Sequence, residues 1–322
     1  LRYAAQEPRP ALIVLDVMMP EMDGYQVLAA LRQDPRTRDI PVMFLTALDN
    51  ARDEERGFQH GAADYITKPI KPDVVLARVR SQLLARLAGN WLRDQNAALE
   101  AEVARRMEEN ELIQAVSIRA LAHLAETRDP ETGNHILRTQ GYVRLLATRL
   151  QTHPRFSATL DDAYIKMLAA SAPLHDIGKV GIPDSILQKP GKLTAEEWEI
   201  MKTHSKLGSD AIEQAERDMD RPVEFLALAK EVAHWHHERW DGRGYPDGLK
   251  EDAIPLCGRI VALADVYDAL TSRRCYKEPY AHSIARSIIV GDAGKHFDPD
   301  VVEAFIQVED EFVSVYNRFR EP

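Results

Sequence analysis

The sequence predicts a multidomain chain: a partial α/β domain on a doubly wound parallel sheet, a long linker helix, and a larger all-α domain. Three observations carry that prediction. Short continuous apolar runs first alternate with helical patterns, a long stretch without proline then keeps helical spacing, and the remainder is helical almost to its end. With 322 residues, 45% of them hydrophobic, the chain has apolar surface for two cores. The formal net charge of -10 argues against a protein that coats a nucleic acid polymer, so any phosphate site must be a local basic pocket. No apolar run approaches the roughly 18 to 20 residues that span a bilayer. Nothing at the start reads as a signal peptide, and two cysteines, Cys257 and Cys275, imply no disulfide framework. The expected compartment is the cytoplasm, with no membrane partner.

Pro10 to Asp16 is a short apolar run ending in a carboxylate, the pattern of a buried parallel strand whose C-terminal end carries chemistry. A polar loop from Met19 to Gly24 leads into a helix over about Tyr25 to Gln33. The next strand is Pro41 to Leu45, ending at Thr46; a helix is expected over about Asp49 to His60, and a third strand, Asp64 to Thr67, runs into Lys68 and Pro69. In such a sheet the functional groups gather at the strand ends along one edge.

At these residues the chain resembles a response-regulator receiver domain. The resemblance implies that Asp16 is the phosphoacceptor, that Thr46 and Lys68 contact the phosphoryl group, that Tyr65 is the aromatic switch, and that magnesium and a sensor histidine kinase take part. The chemistry agrees, because a carboxylate that takes a phosphoryl group needs a cation and hydrogen-bond donors around the new charge. Aligned this way, residues 1–87 form a receiver lacking its first strand, first helix and second strand, and residues 1–6 are the end of a helix. Such a sheet is expected to be exposed and loose, or completed by something else. By itself it is not expected to take up phosphate, since the acidic residues that hold magnesium follow the first strand.

The helix from about Pro72 to Leu87 closes this domain, and its pattern continues over residues 88–113 through Trp91, Leu92, Leu99, Val103 and Ile113. Glu100, Glu102, Arg105, Arg106, Glu108 and Glu109 fill the faces between. A signalling helix that pairs with its twin in a homodimer and a solvated linker both fit, since Asn96, Arg106 and Asn110 interrupt the seam. Gly89 is the weak point.

Residues 114–322 form the all-α domain, with apolar residues at helical spacing over Ala115 to Thr127, Ile136 to Leu150, Ala163 to Leu174 and a helix over Ala195 to His204. His175 and Asp176 stand side by side here, and His135, His204, His236, His237 and Asp265 complete a set that exceeds what core packing needs. A neutral imidazole and a carboxylate both ligate borderline divalent cations, so the set points to a multinuclear metal centre. Glu131 and His135 share a helix face if a helix starts near Glu131. Trp240 to Pro246 is a glycine-bearing loop, and Asp268 follows Asp265 by three residues. His234, His282 and His296 fit no ligand position. Glu126 and Asp129 are guessed as the partners that orient His135.

This half resembles the HD-GYP cyclic-di-GMP phosphodiesterases, a branch of the HD metallohydrolases, over about residues 115–310. The resemblance rests on Glu131 to His135, His175 to Lys179, Met201 to His204, His236 and His237, Gly244 to Pro246, and Asp265 to Ser272. It implies that His135, His175, Asp176, His204, His236, His237 and Asp265 are metal ligands, with Asp176 bridging two cations and Glu131 at the position that binds a third in some members. Two or three iron, manganese, nickel or zinc ions would then present a hydroxide to phosphorus. Lys179, Arg274 and Lys277 would contact phosphate, and Tyr245 would stack on guanine or order its loop. The implied function is a receiver-controlled hydrolysis of cyclic di-GMP to pGpG, with GMP as a further product. The alternatives are the same site with pGpG or another nucleotide as preferred substrate, and a non-catalytic nucleotide-binding regulator.

Overall fold

The computed structural model describes residues 1–47, 61–127, 134–219, 222–273 and 278–320. The helix expected near Asp49 to His60 and the candidate residues Glu131, Arg274 and Lys277 lie outside them, as does Asp129. The chain divides into two compact units, Leu1–Glu108 and Glu109–Pro322. No helix among the described residues is long and apolar enough to cross a membrane.

In the first unit three parallel strands, β1 (Ile13–Asp16), β2 (Val42–Thr46) and β3 (Asp64–Thr67), lie in the order β1-β2-β3. Ile13 pairs with Val42 and Thr46 with Thr67, so Asp16 and Thr46 reach the same edge of the sheet. Helix α1 (Gly24–Gln33) starts at Asp23, whose carboxylate accepts from the Gln26 amide while the Gln26 side chain accepts from the Asp23 amide. That reciprocal pair satisfies two amides that a helix start leaves without partners. Leu28 and Leu31 of α1 pack on Val42 and Phe44 of the central strand. Strand β1 is less covered, and its Val14 is 41% exposed. Residues 1–6 hold a short 3-10 turn, Tyr3–Ala5, where a helix end was expected, and Ala4 of that turn joins the core.

A single helix, α2 (Pro72–Glu126), covers the closing helix, the linker and the pattern expected from Ala115 to Thr127. No proline interrupts it, and Gly89, with open space where a Cβ would stand, costs it only about 1 kcal/mol. Leu92, Leu99, Val103 and Ile113 are exposed along it, and Glu102 pairs with Arg105 at 2.8 Å and Arg106 at 2.9 Å.

In the second unit α3 (Asn134–Leu150), α4 (Asp162–Ser171), α5 (Asp184–Leu187), α6 (Ala195–Arg217), α7 (Glu224–Trp235), α8 (Leu256–Thr271), α9 (His282–Gly291), α10 (Pro299–Gln307) and α11 (Glu309–Arg318) follow one another. Helix α8 is apolar on nearly every face and buries Cys257, Ile260, Val261, Leu263, Ala264 and Tyr267, which marks it as the central helix. Tyr142 of α3 stacks on Phe312 of α11 at 4.5 Å and meets Tyr267 edge-on at 5.1 Å.

Helix α6 does not close at His204 as expected but runs to Arg217. Its buried residues His204, Ser205, Gly208, Ser209 and Ile212 hold helical spacing past that point, so Gly208 serves as a crossing and not a stop. A Cβ on Gly178, in the 3-10 turn Ile177–Gly181, would lie 1.9 Å from the His204 carbonyl oxygen and 2.4 Å from the Gly208 amide nitrogen. The backbone after Asp176 therefore presses directly on the backbone of His204. Gly178→Ala is expected to destabilise the protein by roughly 1–3 kcal/mol or more, as overpacking does, read as a lower melting temperature; an unchanged melt would show that the crossing is not tight.

Candidate metal centre

Local sequence explains how each candidate ligand is presented. Pro173 ends the α4 region in a 3-10 turn, Ala172–Leu174, and a second such turn starts at Ile177, so His175 and Asp176 occupy the joint between them. His135 sits one residue into α3, His204 lies in the middle of α6, and His236 and His237 follow the last turn of α7. Asp265 and Asp268 lie three apart on α8 and share a face.

The structure brings His135, His175, Asp176, His204, His236, His237 and Asp265 together. Asp176 Oδ2 lies 3.3 Å from His175 Nε2, and its Oδ1 lies 3.3 Å from His204 Nε2 and 3.7 Å from His236 Nε2. His237 Nε2 is 3.1 Å from His204 Nε2, His135 Nε2 is 3.4 Å from His175 Nε2, and Asp265 Oδ1 stands 3.8 Å from both His135 and His175. Two ligand sets result, Asp176 with His204, His236 and His237, and Asp176 with His135 and His175, each with its donor atoms within 4.8 Å of one another. Asp176 belongs to both sets, one oxygen turned to each. A carboxylate so placed can bridge two cations.

Whether these residues fit a cation is decided by the other ring nitrogens. His175 Nδ1 lies 2.8 Å from the Ala172 carbonyl, His204 Nδ1 2.8 Å from the Met201 carbonyl, and His236 Nδ1 3.0 Å from the Val232 carbonyl. His135 Nδ1 lies 2.8 Å from Asp268 Oδ2. Carbonyl and carboxylate oxygens only accept, so each Nδ1 carries a proton, and each Nε2 faces the cluster as the atom that can ligate once it is unprotonated. His135 Nε2 and His175 Nε2 face each other at 3.4 Å, and two unprotonated nitrogens so placed repel unless a positive charge lies between them. His236 Nε2 and Asp176 Oδ1 are buried with no hydrogen-bond partner, a cost that a cation removes. The donor set fits divalent metal.

Charge in the cluster is arranged to the same end. Burial opposes ionisation of Asp176, but Lys179, 2.8 Å away, and His175 outweigh it and hold its pKa well below the usual carboxylate range. Burial likewise opposes protonation of His175, yet the Asp176 and Asp265 carboxylates raise its pKa to about 9. His237 is pushed well down by burial and by its neighbours His236 and His204.

Asp268, and not Glu126, orients His135; Glu126 sits 3.8 Å from His123. Arg138 holds Asp268 from two nitrogens, at 2.6 and 2.9 Å, and with His135 it overcomes the effect of burial to bring the Asp268 pKa down to about 2. The signal for both partners was the spacing of three residues that separates them from His135 and from Asp265. Glu238 is another missed residue: its Oε1 accepts from the Asp247 and Gly248 amides at 2.8 and 3.0 Å and folds the glycine loop back. A Cβ on Gly244 would lie 2.4 Å from the Arg239 nitrogen, so only glycine lets the loop pass there. Tyr245 is thereby laid against His237, ring centroids 4.6 Å apart. Trp198 and Lys202 of α6 stand beside Tyr245. The excluded histidines have partners elsewhere: His234 pairs with Asp247, His282 with Tyr267, and His296 stacks on Phe297.

In the first unit Lys68 Nζ lies 2.5 Å from Asp16 Oδ2, and the Met18 amide donates to Asp16 Oδ1 at 3.1 Å. The bonds from Lys68 and Met18 lower the Asp16 pKa. Thr46 is buried at the end of β2, and Tyr65 packs against the core from β3.

Residues 119–301 match the HD domain family, and residues 1–80 match the response regulator receiver domain family. The chain is 49% identical over 319 residues to a probable cyclic di-GMP phosphodiesterase of Vibrio cholerae serotype O1, covering 99% of the chain and 72% of that protein. It is 34% identical over 311 residues to the cyclic di-GMP phosphodiesterase response regulator RpfG of Xanthomonas campestris pv. campestris, covering 97% of the chain and 79% of that protein. Over 195 residues it is 42% identical to the 3'3'-cGAMP-specific phosphodiesterase 2 of Vibrio cholerae, covering 61% of the chain and 35% of that protein.

A cation entering the cluster must displace the proton that His175 holds below a pKa of about 9. Apparent metal affinity is therefore expected to rise from pH 7 to pH 9, roughly tenfold per unit for one proton released, and to flatten above. In the same titration Asp268→Asn is expected to bind metal about 10- to 100-fold more weakly, the loss that follows when a ligand's orienting partner is removed. Metal competition against a chelator at several pH values checks both, and a pH-independent affinity would contradict the first.

Proposed function

The chain belongs to the response regulators that join a receiver domain to an HD-type domain of the HD-GYP class, and on that premise we propose that it hydrolyses the phosphodiester of cyclic di-GMP to pGpG. The observation that supports this reading most directly is Asp176 with one oxygen toward each of two imidazole sets. Divalent cations, when bound, lower the pKa of water and screen the non-bridging and leaving oxygens of a phosphodiester.

The chain's own residues do the rest. Asp176 stays ionised and spans the two sets. The Nδ1 bonds of His135, His175, His204 and His236 hold each ring in one tautomer and one orientation, so that no reorganisation is needed when a phosphate arrives. Lys179 adds a positive charge beside Asp176, within the site where a phosphate oxygen needs it. By resemblance, Arg274 and Lys277 contact phosphate and Glu131 offers a ligand for a third cation. Asp16 takes up a phosphoryl group from a sensor histidine kinase in a receiver that also holds magnesium, and the exposed leucines of α2 pair with a second copy.

A second reading keeps the site and changes the base. The 42% identity to a phosphodiesterase specific for 3'3'-cGAMP favours a cyclic dinucleotide with one adenine as competing substrate, and pGpG is the competitor among linear dinucleotides. Cyclic di-GMP, 3'3'-cGAMP and pGpG offered at equal concentration to one preparation decide among them and show whether GMP accumulates.

Metal content per chain, measured on the protein used for that assay, is expected to be two or three, and Asp176→Ala is expected to lose both the metal and the hydrolysis. Turnover that survives in Asp176→Ala would remove the mechanism. For the receiver, the full-length protein is expected to take label from a small phosphoryl donor and Asp16→Asn to take none; equal labelling of the two would show that Asp16 is not the acceptor.

A further inference from the structure

On the reading that the site cleaves a cyclic dinucleotide, we propose that Trp198 is the platform on which one purine base of the substrate stacks, and that it determines specificity for a nucleotide over a simple phosphodiester. Trp198 lies in the first turns of α6, which the Thr194–Glu197 capping box starts. His204, on the same helix, carries an Nε2 of the cluster, so the indole and that nitrogen are held on one rigid element. An indole 46% exposed is apolar area that packing has not used.

An aromatic path joins this indole to the cluster. The Tyr245 ring lies 4.6 Å from His237 and 6.3 Å from His204, and Trp198 meets Tyr245 edge-on, at 6.1 Å and 84°. That perpendicular contact engages at most one face of the indole, and the exposed position of Trp198 leaves π surface accessible. Lys202, one turn along α6 from Trp198, places its Nζ 6.0 Å from the Tyr245 centroid and 2.8 Å from Glu199. A cation over an aromatic ring, with a second ring beside it, is the surrounding that single-stranded nucleotides find on their binding surfaces. In a cyclic dinucleotide each phosphodiester is flanked by two bases. With phosphate at the cluster, the bases extend away from it, and the path from His237 over Tyr245 to Trp198, with ring centroids 4.6 Å and then 6.1 Å apart, starts at the cluster and ends on exposed indole.

The alternative role for Trp198 is packing, in which it only steadies the Tyr245 loop. The two roles separate when a dinucleotide is compared with a diester that has no purine. Trp198→Ala and Trp198→Phe are to be assayed on cyclic di-GMP and on methyl p-nitrophenyl phosphate, with metal content measured on each preparation. Stacking by one base supports a change of roughly tenfold or more. In Trp198→Ala the ratio of kcat/KM for the dinucleotide over the small ester is expected to fall by about that factor, mainly through KM, with metal content unchanged and most of the loss restored in Trp198→Phe. If both substrates decline in proportion, or if metal is lost, Trp198 is a packing residue and the proposal is overturned. Metal-loaded wild-type protein that cleaves no dinucleotide overturns the hydrolysis reading instead. Equilibrium binding of cyclic di-GMP by that protein then decides on Trp198: binding weakened roughly tenfold in Trp198→Ala retains the platform, and unchanged binding removes it.

Discussion

A largely enclosed carboxylate that faces imidazole Nε2 atoms from two directions is the constraint on which the second unit depends. Asp176 and the Nε2 atoms around it have given up water, and the groups that would normally repay this are engaged behind them, at the Nδ1 positions. What is left unpaid in the protein alone, an Asp176 oxygen and a His236 nitrogen, is what a divalent cation supplies.

The surroundings keep this arrangement from relaxing. Helix α8 is buried on nearly all sides and gives Asp265 and Asp268 a fixed position. Arg138 then clamps Asp268 with two bonds, which makes His135 immobile in turn. On the opposite side two glycines allow the backbone after Asp176 to touch α6, so the carboxylate and His204 cannot drift apart. The loop behind His237 is folded by Glu238 and closed at Gly244. Each device is a backbone or charge constraint, which holds geometry better than side-chain packing alone.

Both units pair an aspartate with a lysine, and the difference between the pairs is instructive. Lys68 holds Asp16 at an exposed sheet edge, where water screens the interaction and either partner can be exchanged. Lys179 holds Asp176 in a largely enclosed site, where the same charges are less screened and Lys179 helps to keep the Asp176 carboxylate ionised. On the proposed function, an exposed pair suits a group that accepts and loses a phosphoryl charge. A buried pair suits one that must keep its charge throughout.

Local pattern in the sequence determined much of this. Continuous apolar runs marked the first two strands, a stretch without proline marked α2, and adjacent His175 and Asp176 with the other histidines marked the cluster, because each is a short-range regularity of spacing or residue type. Tertiary structure decided what spacing cannot carry. Asp268 orients His135 across 133 positions of chain, while Glu126, nearer in sequence, does not. Helix α6 runs on past His204 through Gly208, where the missing side chain lets the backbone of Gly178 approach, and that contact has no signal in local spacing. Trp198 and Lys202 read as ordinary helix-surface residues until the fold sets them beside Tyr245. Which side chains meet depends on burial and on the crossing of distant elements, and neither leaves a periodic trace in the chain.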